Sequence, residues 1–279
     1  MTSRQHATEI ATGDRFRFGE NWSRFLSTLS ESRITTAEAS LKTMLGRSSL
    51  TGLRFVDVGS GSGLFSLAAR RLGASVLSFD FDPQSVQCAQ ELRSRFFPDD
   101  SQWAIQEGSA LDVDFIDGLG QFDIVYSWGV LHHTGEMWKG LDLVQRLVSP
   151  GGQLFIAIYN DQGYISRRWA RIKRVYCSGP LGRALVKAVC IPYFVLPPLL
   201  LDLVKLRDPT RLYREYQRER GMSKKYDWYD WLGGHPFEVA KPEEIFDFYN
   251  RRGLPMERMT TCGGGLGCNQ FVFRRPQLA

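Results

Sequence analysis

The run Asp57-Val58-Gly59-Ser60-Gly61-Ser62-Gly63 sets glycines at alternate positions directly after an acidic residue. Glycine at such positions permits positive φ and close approach of backbone to a ligand, and a helix opening on the turn offers unpaired N–H groups. The turn departs from the dinucleotide pattern G-x-G-x-x-G, which started at Gly59 would need glycine at 64, where Leu64 stands. Asp57, two positions before the first glycine, would repel a pyrophosphate but can hold an ammonium group. Asp80, in the run Ser78-Phe79-Asp80-Phe81-Asp82-Pro83, can accept both hydroxyls of a ribose. A ligand with a cationic amino-acid end and a ribose but no phosphate answers this description: S-adenosylmethionine.

Further residues could do acid–base work. His132 and His133 follow an apolar run that reads as the fourth strand, at the sheet edge where open α/β sheets bind ligands. A neutral imidazole there can serve as a base near pH 7; alternatively one of the pair caps a helix or bonds to core backbone. The stretch from Asp227 to Glu238 (DWYDWLGGHPFE) is dense in aromatics and acids and is the main candidate for acceptor binding. His235 is an alternative base there, with Asp227, Asp230 and Glu238 able to orient it or hold an ion. The simpler reading is a packed hairpin with Trp228 and Trp231 in its core. The run Arg15 to Trp22 could close over the cofactor, with Arg17 or Arg24 meeting its carboxylate, though a solvated amphipathic helix is the simpler reading for most of these residues. Gly263 to Gly267 reads as a hairpin connection because no helix follows it.

The elements that must position these residues read as doubly wound α/β. Apolar strands are expected at Leu53–Val58, Ser75–Asp80, Trp103–Glu107, Phe122–Ser127 and Gln153–Tyr159, with helices at Leu64–Leu72, Pro83–Phe97 and Met137–Val148 between them. Strands apolar on both faces, alternating with helices, mean a parallel sheet covered on both sides. Two helices are expected within Phe16–Leu45. The rhythm stops after Asn160 and resumes with a helix at Pro242–Arg252 and strands at Met256–Thr260 and Gln270–Arg274. The chain thus divides into an N-terminal helical segment (1–50), a Rossmann-like core (51–160), an insertion (161–240) and a completing unit (241–279).

Charge singles out that insertion. Between Tyr164 and Lys225 fifteen basic residues face four acids, so this segment carries +11 of a total +5 and the rest of the chain −6. A mildly acidic body with one basic, apolar insertion points to an anionic surface met locally. Aliphatics and prolines, not stacking aromatics, fill its middle, and no N/D-P-P-Y/F motif of base methylation is present, which argues against nucleic acid. Three prolines in Ala184–Leu206 predict two short helices with a bend at Pro197, forming a lid over the acceptor pocket and touching anionic membrane through residues 184–206. The longest uncharged apolar stretch, Ala188–Leu201, is expected to be too short to span a bilayer. With no apolar run near its start, the chain is expected in the cytoplasm, at most peripheral to the inner face of the membrane. Five scattered cysteines without C-x-x-C indicate neither a disulfide framework nor a zinc site, and no metal is expected.

Five motifs in order, VDVGSGSG, SFDFDP, EGSALD, FDIVYSWGVLHHT and LVSPGGQLFIAIYN, resemble those of the class I S-adenosylmethionine-dependent methyltransferases. The resemblance covers Leu53–Tyr159 and resumes near Asp230. It implies a seven-stranded sheet with the last strand antiparallel. It also implies that Gly59 to Gly63, including Ser60 and Gly61, contact the methionine part, Asp80 with neighbouring Phe81 the ribose side, and Ser109 and Ala110 the adenine, with Ser127 in the same set. Within that family the chain is similar to the ubiquinone-biosynthesis O-methyltransferases. The expected activity is methyl transfer to a small, hydroxylated and hydrophobic acceptor; transfer to a thiol, or to RNA through the basic insertion, are the alternatives.

Overall fold

The computed structural model describes residues 2–204 and 231–277. Three helices lead: α1 (Thr2–Thr12), α2 (Phe18–Leu26) and α3 (Glu31–Leu45). The core then alternates β1 (Arg54–Val58), α4 (Leu64–Arg71), β2 (Ser75–Asp80), α5 (Pro83–Phe96), β3 (Trp103–Glu107), α6 (Val113–Gly118), β4 (Phe122–Trp128), α7 (Met137–Val144) and β5 (Val148–Tyr159). The insertion contributes α8 (Tyr164–Cys177) and α9 (Pro180–Val204), and α10 (Pro242–Asn250), β6 (Met256–Thr260) and β7 (Cys268–Arg274) complete the body.

The seven strands run in the order β3-β2-β1-β4-β5-β7-β6. The first five are parallel, and β7 lies antiparallel between β5 and β6. Period-two alternation explains why both sheet faces are apolar. Val56, Val125, Leu154, Ile156, Phe271 and Phe273 point into one core under α7 and α10, while Phe55, Ile124, Phe155 and Val272 point into the other under α3 and α4. The sheet order reverses between β1 and β4, so their carboxyl ends open a crevice.

The insertion leaves and rejoins the body at one point, where Asn160 and Ala240 form an isolated parallel bridge. It has its own small core of Trp169, Tyr176, Val186, Cys190 and Leu232. Expectation and structure differ here. The segment is not divided into two helices at Pro197: α9 is one helix of 25 residues that continues through Pro192, Pro197 and Pro198. Each proline forfeits one amide donor. The carbonyls so freed are those of Ala188, Tyr193 and Phe194, the first two on exposed residues, while the side chains of Val186, Cys190 and Phe194 anchor the helix on α8, Phe194 stacking on Trp169 at 5.9 Å. The expectation of a stretch too short to span a bilayer is also corrected, since Pro180–Pro197 lies in a helix long and apolar enough to cross a membrane by length and composition. At the chain start, α1 precedes the two helices expected.

Candidate active site

The glycine turn leaves β1 under tight constraint. Gly59, Gly61 and Gly63 all have positive φ (75°, 54° and 79°), and a Cβ on Gly59 would lie 2.3 Å from the Val130 side chain. Only glycine fits both demands. The amides of Gly59 and Ser60 donate to the Phe79 carbonyl (2.9 and 3.1 Å), that of Gly61 to Asp80 Oδ2 (2.8 Å) and that of Gly63 to the Ser60 carbonyl (2.8 Å). Four of the five amides from 59 to 63 are therefore spent inside the protein. The free N–H groups expected of this turn are mostly absent, and a loop without them is a poor phosphate cradle and a better seat for a cationic or neutral group. Ser60 Oγ is buried with no partner in the protein, a polar atom left for a ligand.

Asp80 closes β2 and is partly open to the crevice. Besides Gly61 it accepts from the Asp82 amide through Oδ1 (2.9 Å). Burial pushes its pKa up to about 6, with the two backbone amides acting the other way. Phe81 beside it is held between the Arg15 guanidinium (4.8 Å from the ring centroid) and the His6 ring (5.5 Å). Ser109 and Ala110 lie at the end of β3; the Ser109 hydroxyl accepts from the Leu111 amide at 3.2 Å and shapes that loop.

Two expected cofactor contacts sit beneath the crevice instead of on its wall. Asp57 is 2% exposed, and its Oδ2 accepts from Ser66 Oγ at 2.5 Å, the head of a buried chain through Ser78 to Trp103 Nε1. Burial raises its pKa to about 7, and the neighbouring Asp80 charge adds to this. Ser127 is fully buried and donates to the Val58 carbonyl at 3.1 Å. Both are covered because β1 and β4 are central strands with packed elements on both faces of the sheet.

The histidines come together, with different roles. His132 is fully buried and accepts the Tyr159 amide at Nδ1 (3.3 Å), so its proton resides on Nε2, which has no protein partner. Burial, helped by neighbouring His133 and Lys173, holds its pKa well below the usual imidazole value. His133 binds the Pro236 carbonyl through Nδ1 at 2.6 Å; a carbonyl only accepts, so this ring carries its proton on Nδ1 and presents the Nε2 lone pair. Burial depresses its pKa to about 3. Phe18 packs on His133 (5.0 Å between centroids) and Tyr159 on both rings. His235 is half-buried and adjoins this group through Pro236 and through its own carbonyl, which accepts the Phe16 amide at 2.9 Å. The Glu238 carboxylate accepts from the Met137 amide at the start of α7 (3.2 and 3.0 Å). Asp230, with Asp227 and Trp228, lies outside the described residues.

Two features escape the sequence reading, Lys173 and Asp82. Lys173, counted there among fifteen basic residues, is fully buried; its Nζ donates to the Trp231 carbonyl and lies 4.2 Å and 4.8 Å from the ring centroids of Trp231 and Phe237. The signal was present, since Ser166, Trp169, Lys173 and Tyr176 form the buried stripe of α8 at helical spacing. Asp82 ties the N-terminal segment down by accepting the Gly19 amide (2.8 Å) while it caps α5 through Gln84 (2.9 Å); the Asp-Pro pair at a helix start announces such a cap. Trp22 closes over the turn, within 3.0–3.3 Å of where a Gly61 Cβ would stand. Helices α1 and α2 thus roof the crevice. Among the described residues no cluster of three or more His, Cys, Asp or Glu could hold a metal ion.

Residues 56–156 match the family described as "Methyltransferase domain". The chain is 29% identical over 119 residues to ubiquinone biosynthesis O-methyltransferase of Brucella ovis, covering 40% of this chain and 43% of the relative. It is 33% identical over 116 residues to the protein of the same name from Xanthomonas oryzae pv. oryzae, covering 41% and 46%. The chain therefore spans less than half the length of these curated relatives. Among solved structures, magnesium protoporphyrin IX methyltransferase from Synechocystis PCC 6803 with bound SAH superposes with a TM-score of 0.51 at 16% identity, covering 87% of this chain and 83% of that one. The fold is thus the Rossmann-like sheet of the methyltransferase structure on which the chain superposes, and residues 56–156 are the stretch that matches the methyltransferase domain family.

Proposed function

We propose that this protein is an S-adenosylmethionine-dependent methyltransferase acting on a small, hydroxylated and hydrophobic acceptor to give an O-methyl product. The observation that carries the reading is the glycine turn whose own amides are consumed internally, beside a strand-end carboxylate and an unpartnered Ser60 hydroxyl. Gly59 to Gly63 would seat the amino-acid end of the cofactor, Asp80 the ribose hydroxyls, and Ser109 with Ala110 the adenine, while Trp22 and Phe81 exclude water. The cofactor supplies a methyl group on a sulfonium, already activated toward displacement. What remains for the protein is alignment, a dry pocket and removal of one proton. His133 Nε2, unprotonated through the neutral range, is the atom that accepts the acceptor's hydroxyl hydrogen; Nδ1 bonding to Pro236 fixes the ring for it.

The pH dependence of cofactor binding tests the site. A ribose is best held by an ionised Asp80, so affinity for S-adenosylhomocysteine should be constant above about pH 7 and fall by up to about tenfold per unit below Asp80's value of about 6. Titration calorimetry from pH 5 to 8 measures this, and Asp80→Asn should bind more weakly with the slope removed. A slope that persists unchanged in the variant contradicts the assignment.

The insertion supports peripheral contact with an anionic membrane at the cytoplasmic face, through α9 and residues 184–206. Tyr164, Ile165, Val175, Leu181, Leu185, Val189, Tyr193 and Leu196 are exposed together on α8 and α9, where a groove of about 680 Å³ runs between them. No Asp or Glu occurs from Tyr164 to Leu201, whereas Arg167, Arg168, Arg171 and Arg174 flank the patch. Basic side chains near an anionic surface contribute about 1 kcal/mol each. Co-sedimentation should require anionic vesicles, weaken with salt and vanish when residues 184–206 become a short linker; sedimentation indifferent to that replacement would refute it.

A further inference from the structure

The turn joining β6 to β7, Cys262-Gly263-Gly264-Gly265-Leu266-Gly267-Cys268, begins and ends in cysteine. Strand register brings the two ends opposite each other: Arg258, Met259 and Thr260 pair with Val272, Phe271 and Gln270, and the same register carried two residues on sets Cys262 against Cys268. Contacts agree. Cys262 touches the residue on either side of Cys268, donating its amide to Asn269 Oδ1 at 3.1 Å and lying with its Cβ 3.1 Å from where a Gly267 Cβ would stand. Both thiols are free and only half-buried, unlike Cys88, Cys177 and Cys190. Directly opposed cross-strand residues have their Cβ atoms about 4.5–5.5 Å apart, close to the span of a disulfide, and a glycine-rich turn can close the remainder.

We infer that Cys262 and Cys268 form a dithiol site that a small-molecule disulfide oxidises to an intramolecular bond across the turn. The Cys262 thiolate attacks the reagent, expels one thiolate and is left as a mixed disulfide; the Cys268 thiolate then displaces the second. The chain loses two hydrogens and the reagent becomes two thiols. Burial, with the neighbouring Cys262 thiol, pushes the Cys268 thiol up to about 12, which gives it the later, resolving role. The closed ring fixes the turn that carries Leu266 on the rim of the apolar groove, a turn already held by Gln162 Nε2 at the Gly264 carbonyl (2.7 Å) and Asn160 Nδ2 at the Gly265 carbonyl (3.3 Å).

The test is oxidised glutathione on the folded full-length protein, followed by acid quench, alkylation, trypsin and mass spectrometry. Residues 259–274 fall in one tryptic peptide holding both cysteines. That peptide should become lighter by two hydrogens and resist alkylation, at a rate rising by up to about tenfold per pH unit. In Cys268→Ser, Cys262 should instead retain glutathione as a stable adduct; Cys262→Ser should show no ring. Two alkylated thiols after equilibration, or equal glutathione adducts in wild type and Cys268→Ser, would overturn the proposal. Circular dichroism of each variant separates these outcomes from misfolding.

Discussion

His133→Ala should lower turnover by about 10²-fold, the low end of the cost of removing a positioned base because burial makes this ring a weak one, with S-adenosylhomocysteine affinity nearly unchanged. The ring is anchored at Nδ1 by the Pro236 carbonyl and walled by Phe18 and Tyr159, so its Nε2 has a fixed direction. Its value of about 3 also sets a pH signature: with cofactor saturating, turnover should show no loss near pH 6.5, where a free imidazole would protonate. His132→Ala should behave differently. It removes a fully buried ring that accepts the Tyr159 amide, so the expected effect is on stability, about 1–3 kcal/mol. Steady-state rates and thermal melts of the two variants decide between these roles. Near-normal turnover in both, and in His235→Ala, would mean an acceptor already anionic or a thiol.

Gly59→Val carries the second large effect. A side chain there must adopt φ of 75° and place Cβ 2.3 Å from a Val130 methyl. Left-handed backbone costs about 1–2 kcal/mol for a residue with Cβ, and overpacking typically adds about 1–3 kcal/mol. The turn and the β4 end must separate, so both stability and cofactor binding should collapse, binding by about 10²-fold or more. Gly263→Val, at a positive φ with no atom near its Cβ, controls for backbone strain alone and should leave cofactor binding intact. Equal binding loss in both variants would place the turn outside the cofactor site.

The sheet was legible because its strands are apolar on both faces and end in turn residues; β2, β3 and β6 keep the bounds read from the residues. The turn and Asp80 were legible for the same reason, as chemistry at strand ends. Direction of side chains was not. Asp57 and Ser127 are buried and bonded within the body, to Ser66 and to the Val58 carbonyl, which only the packing reveals. Helix α1 escaped because Thr2–Thr12 is largely polar and is held by its dock on the body, where His6 lies 3.6 Å from Asp82. The run through Pro192 and Pro197 defied local propensity because packing of α9 on α8 outweighs it. The cysteine pair became visible only from hairpin register.

Isothermal titration with S-adenosylhomocysteine and, separately, NAD tests the central claim most directly. Micromolar binding of S-adenosylhomocysteine, weakened by about 1.5–3 kcal/mol in Asp80→Ala, with no heat from NAD, is the predicted result. Tight NAD binding with no S-adenosylhomocysteine heat would contradict it.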